Sequence, residues 1–200
     1  MSRVRLASPT GEAVFANAGS SGAWRVVIPA AADVRLFGLS ATTPGRTVQA
    51  EGYLAVAPSG EAAQLRSGSG ARAIITRGAG VALLAADFDR KGGTVVSGEA
   101  PPGASVSITV DDQKRGLAKA GADGRFLLAL NEPLKQGAHS VLAEAGGDRA
   151  QKALVVSAPP HPSGGPFQAR TVEGGWQINW LTPGGGVQST VLYQASGPGA

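Results

Sequence analysis

An all-β fold built from repeated two-sheet sandwiches is what this sequence predicts, on three observations: a turn-rich composition, an internal repeat, and short segments of alternating polarity. In 200 residues there are 30 Gly and 13 Pro, with 5% aromatic and 16% charged residues. That profile suits many short strands joined by tight turns and leaves little for long helices. Hydrophobic residues make up 42% of the chain, enough to fill the core of one large domain or of two small ones.

The repeat organises the chain. Residues 4–58 and 106–159 agree at a displacement of 102 positions, with Phe15 on Leu117, Ala18-Gly19 on Ala120-Gly121, Gly22 on Gly124 and Trp24 on Phe126. Val26 and Ile28 fall on Leu128 and Leu130, a short insertion follows in the first copy, and both copies end on Ala-Pro. A shorter third match begins at Phe167, 152 positions after Phe15, and places Gly174, Trp176, Ile178 and Trp180 over Gly22, Trp24, Val26 and Ile28. The expected division is a first repeat over 1–79 that lacks its opening strand, a complete repeat over 80–159, and a Pro/Gly linker with a partial third repeat over 160–200. Trp24, Phe126 and Trp176 are expected to be equivalent buried rings.

In the complete copy, 81–85 and 94–97 read as opening strands around the turn-rich Asp89-Arg90-Lys91-Gly92-Gly93. Pro101-Pro102-Gly103 is a turn, and Val106, Ile108 and Val110 alternate with polar neighbours with the period of a pleated strand, ended by Asp111-Asp112. Asp123-Gly124 reads as a hairpin turn between 117–120 and 125–130, since Gly takes positive φ without a Cβ clash. Val141, Ala143 and Ala145 alternate again, and 153–157 closes the unit. About seven short strands, with turns every 8–12 residues, indicate a two-sheet sandwich of immunoglobulin type.

In the first copy, the hairpin-like stretch Glu61 to Ile75, turning at Ser67-Gly68-Ser69-Gly70, is expected to take the place of the missing strand; a strand from another chain or from upstream sequence is the alternative. In the third, Pro183-Gly184-Gly185-Gly186 reads as a hairpin loop before the alternating Val187 to Tyr193.

The second copy carries Val95-Val96-Ser97-Gly98, Pro102-Gly103-Ala104-Ser105-Val106, Ala122-Asp123-Gly124-Arg125-Phe126, and Leu134 with Gly137-Ala138-His139, and in these it resembles the bacterial immunoglobulin-like (Big-type) repeat domains of adhesins and cell-envelope proteins. These are signatures of turns and inward-facing residues, so the resemblance implies a fold and a cell-envelope setting and assigns no site.

Most chemistries lack their residues. The net charge of +4 comes from scattered Lys and Arg, without the dense cationic row that nucleic acid requires. No apolar run reaches the 18 or more residues of a membrane span; Val81 to Phe88 is of strand length. Residues 1–6 lack the apolar core of a secretory signal, which fits either a cytoplasmic protein or a mature, trimmed one. There is no Cys, and there are two His, His139 on a repeat strand and His161 in a Pro-rich linker, so neither a Ser/His/Asp constellation nor a zinc site is expected. Asp87, Asp89 and Asp123 are the calcium candidates, with turn formation as their competing role. The glycine run at 184–186 has no Lys-Ser/Thr or helix after it, so it cradles no phosphate. Trp176 and Trp180, four apart and hence on one strand face, with Tyr193, are the candidate surface for a partner, with a place in the core as the competing role of the two Trp.

The expected function is therefore that of a non-enzymatic structural or protein-binding module in a bacterial cell-envelope or adhesive surface assembly, periplasmic or extracellular, without a cofactor. Its partners would be another protein, or a second copy joined through sheet edges. The alternatives are a module binding carbohydrate or peptidoglycan, such as envelope glycan, and an accessory domain of a larger enzyme.

Overall fold

The computed structural model describes residues 2–74 and 80–194, which form seventeen strands and no helix. All pairings are antiparallel and build three open sheets. The N-terminal sheet holds β1 (Arg3–Ala7), β2 (Ala13–Asn17), β3 (Arg35–Thr43), β4 (Arg46–Gln49), β5 (Tyr53–Val56), β6 (Ala62–Leu65) and β7 (Arg72–Ala73). The order is β2-β1-β3-β5-β6-β7, with β4 on the second half of β3. A central sheet takes β8 (Ala82–Asp89), β9 (Thr94–Glu99), β12 (Arg125–Ala129), β15 (Phe167–Val172), β16 (Gly175–Leu181) and β17 (Val187–Tyr193), in the order β12-β9-β8-β17-β16-β15. The remaining strands, β10 (Ser105–Val110), β11 (Gln113–Lys119), β13 (Gly137–Ala145) and β14 (Asp148–Val156), form a third sheet ordered β11-β10-β13-β14.

Burial patterns explain the layering. In β10 only Val106, Ile108 and Val110 are buried, the alternation of a sheet with one wet face. In β8 and β17 six residues in a row are buried, because both faces of the central sheet are covered. On one side Ala86, Phe88, Val96 and Phe126 pack against Ile108, Val141, Ala143 and Leu154. On the other, Ala85, Ile178, Trp180 and Leu192 pack against Leu36, Ala55, Ala63 and Leu65 of the N-terminal sheet.

Gly98 marks how closely the central strands approach. A Cβ there would lie 2.1 Å from the Ala82 carbonyl oxygen and 2.5 Å from the Phe126 ring. Gly98→Ala is expected to lower stability by about 1–3 kcal/mol through overpacking, measured by urea unfolding.

The two outer sheets share a plan. Arg3 stands opposite Asn17 and Ser105 opposite Lys119, each position displaced by 102, and the orders β2-β1-β3-β5 and β11-β10-β13-β14 run alike. Phe15 and Leu117, equivalent in sequence, are both exposed. The correspondence stops at the next ring. Phe126 is buried in β12, but Trp24 is 38% exposed in the strand-free residues 18–34, so it is not a core ring.

Three further expectations are revised. Asp123-Gly124 does form a turn, closed by Gly124 N–H to the Gly121 carbonyl, yet it carries the chain from the third sheet to the central one and joins no hairpin. The true hairpin turn is Asp111-Asp112, where both residues take positive φ (51° and 60°) and link β10 to β11. The 61–74 segment makes β6 and β7, but adds them to β5 instead of supplying an opening strand; Ile75 lies outside the described residues. Finally, 167–193 forms the meander β15-β16-β17, whose last strand pairs with β8. It enlarges the central sheet, and its Trp180 seals the N-terminal sheet against it.

Candidate functional site

The shared core disposes of the aromatic surface expected at Trp176, Trp180 and Tyr193. Trp180 is fully buried, its ring edge-on to Tyr53 at 6.0 Å between centroids, and its indole N–H donates to Thr190 Oγ1 at 3.0 Å. Tyr193 is 2% exposed, and burial pushes its hydroxyl, which has no hydrogen-bond partner among the described residues, upward in pKa. Trp176 is half-buried against the same N-terminal sheet. A sugar-stacking platform needs open ring faces, and these three do not provide one.

The calcium candidates are likewise separately committed. Asp89 Oδ1 accepts from the N–H groups of Lys91 and Gly93 and so forms its own turn. Asp123 pairs with Arg72 and Arg125, and Asp87 is buried inside the protein. Among the described residues no three His, Cys, Asp or Glu side chains gather as a metal site.

Asp87 instead anchors the cleft that stands out. Its Oδ2 accepts the Ala71 N–H at 2.5 Å; its Oδ1 accepts the Thr190 hydroxyl at 2.5 Å and the Gln188 amide at 3.4 Å. Burial raises its pKa to about 6 against the opposing effect of these hydrogen bonds. Ala71 is held at both ends, because its carbonyl accepts the Ser97 hydroxyl at 2.7 Å. Gly70, at φ 75°, lets the turn close on the sheet: a Cβ there would sit 2.6 Å from Val95 Cγ1.

The clamped turn sets Arg66 and Arg72 across a cleft of about 250 Å3 from Arg125, over Leu84, Phe126 and Leu127. Arg72 reaches Asp123 at 2.9 Å and Arg125 reaches the same oxygen at 3.3 Å, while Arg125 Nη2 donates to the Ile74 carbonyl at 3.1 Å. The Arg125 backbone N–H and the two guanidiniums outweigh desolvation and hold Asp123 below the usual carboxylate range. No sequence signal marked these arginines, which are isolated in the chain and meet only through folding. A second cleft, of about 280 Å3, lies between the 89–92 turn and residues 133–136, but Asp89 is spent on its own turn and Arg90 on the Pro159 carbonyl.

His139 is the one histidine held in a polar pair among the described residues. Its Nδ1 faces Asp111 Oδ2 at 2.6 Å and its Nε2 faces the Lys135 carbonyl at 2.7 Å. Both neighbours are acceptors, so the arrangement favours the doubly protonated ring and leaves no lone pair for a general base. Partial burial and the nearby Arg115 act to lower its pKa, but Asp111 and the Lys135 carbonyl hold it above the ordinary value. Asp111 is held low by His139 and the Ser140 N–H. The contribution of His139 is present at low pH and is lost as pH rises through its raised folded pKa; that of Asp111 is lost as pH falls through its lowered one. Asp111→Asn is expected to bring the His139 pKa down, as read from its ring resonances in an NMR titration; an unmoved midpoint would refute the pairing.

Neither a family model nor a curated protein matches this chain.

Proposed function

We propose that this chain is a non-enzymatic structural and protein-binding module of a bacterial cell-envelope or surface assembly, periplasmic or extracellular, built from immunoglobulin-like units. The observation that carries this reading is the sheet shared by two outer sheets of like strand order and hairpin register. What supports the immunoglobulin-like part of the reading is that β12-β9-β8 faces β11-β10-β13-β14 across one core, with the chain crossing between the two sheets after β11. Three layers joined by two cores support a role in spacing and docking.

Fractionation of the producing cells with the tagged chain, followed by cross-linking, tests the reading. Recovery in the envelope or medium, cross-linked to protein, is the expected result; an exclusively cytosolic pool without cross-links would overturn it. Among the outermost strands, β2, β12 and β15 each have one side unpaired among the described residues, through which copies would associate. Light scattering should then show mass rising with concentration, and a constant monomer mass would remove self-association.

A further inference from the structure

We infer that the cleft between the Arg66–Ala73 segment and β12 docks an extended peptide through a carboxylate side chain, an inference that rests on the protein-binding reading above. Charge is the first argument. Arg66, Arg72 and Arg125 border the cleft, and the one carboxylate among its lining residues, Asp123, is already bonded to two of them. With Glu99 counted as the cross-strand neighbour of Arg125, cations still exceed carboxylates by three to two. A donor remains: the exposed side chain of Arg66 has no hydrogen bond or ion pair among the described residues. Guanidinium forks match carboxylate geometry.

Shape and backbone select a peptide. The space, about 250 Å3, has room for one acidic side chain and an apolar neighbour against Leu84 and Leu127, the latter 46% exposed. Phe126, the only ring among the described lining residues, is 3% exposed and gives a sugar no face to stack on. β12 is the outermost strand on this side of the central sheet; the N–H and carbonyl of Arg125 are taken by Asp123 and Gly121, but the outer main-chain groups of Leu127 and Ala129 can receive an added strand. Asp87 and Ser97 hold Ala71 in place, so the arginines stand ready before a ligand arrives.

The test is an amide NMR titration of the full chain with the capped pentapeptide TVEVT, its glutamine counterpart TVQVT, and glucuronate. TVEVT should shift the amides of Ser97, Arg125 and Leu127 saturably, and bind about tenfold more weakly at high salt or to Arg66→Gln, whose exposed side chain makes the substitution safe for folding. TVQVT should bind about tenfold more weakly than TVEVT. Absence of a saturable shift, equal binding of TVQVT, or saturation by glucuronate in place of the peptide would each overturn the inference. Such a failure removes this site alone, because envelope location and cross-linking are read independently.

Discussion

Asp87→Ala is expected to destabilise the protein by about 2–4 kcal/mol, because it strands three buried donors at once. The Ala71 N–H, the Thr190 hydroxyl and the Gln188 amide all converge on this one carboxylate, and Trp180 donates to Thr190 behind it. Relief from burying a charge offsets part of the loss and keeps it below the sum of three bonds. Asp87→Asn should cost less, since an amide can accept from Ala71 while donating to Thr190 Oγ1.

The Asn variant also isolates a pH effect. The folded pKa of Asp87, about 6, lies above the ordinary value of 3.8, so the folded state binds the proton more tightly than the unfolded chain. Wild-type stability relative to Asp87→Asn should therefore rise as pH falls from about 6 to about 4, by about 3 kcal/mol in total. Other titrating groups cancel in that difference. Urea unfolding of both proteins at the two ends of the range provides the measurement, and parallel pH profiles would refute the buried-carboxylate account.

Trp180→Ala should cost about 3–5 kcal/mol, the range for emptying a buried aromatic site. The ring fills the space between central and N-terminal sheets, touches Tyr53, and supplies the N–H at the start of the Asp87 chain. Hydrogen exchange locates the damage: amides of β5, β6 and β16 should lose protection together, while β10 and β13, packed on the other face, keep theirs. Uniform loss over all three sheets would argue against two separable cores. Combined with Asp87→Asn, the energies should fail to add, because both residues act on the same Thr190 hydroxyl.

Local patterns were legible before folding wherever one strand face is wet. Val106, Ile108 and Val110 declare an inward face, Asp89 to Gly93 a hairpin turn, and Pro183 to Gly186 another. At the 102-residue displacement the pairing of residues 3–6 agrees with that of 105–108, up to the register shift after Ile108, because a hairpin's pairing depends on its own turn and its own alternation. The same repeat misplaced Trp24, since a matching residue type does not ensure that a matching sheet exists to bury it. Val81 to Phe88 told less than it held: an unbroken apolar run signals a strand covered on both sides, but not by what.

Strand content, turn positions and the all-β class were thus determined by the sequence itself, because they follow from backbone sterics and the two-residue period of a pleat. Pairing of β17 with β8, the sheet shared by two cores, and the meeting of Arg66, Arg72 and Arg125 were decided only by the tertiary structure. The physical reason is that periodicity records which side of a strand is dry, whereas the neighbour that keeps it dry lies far along the chain and is chosen by how whole faces fit together.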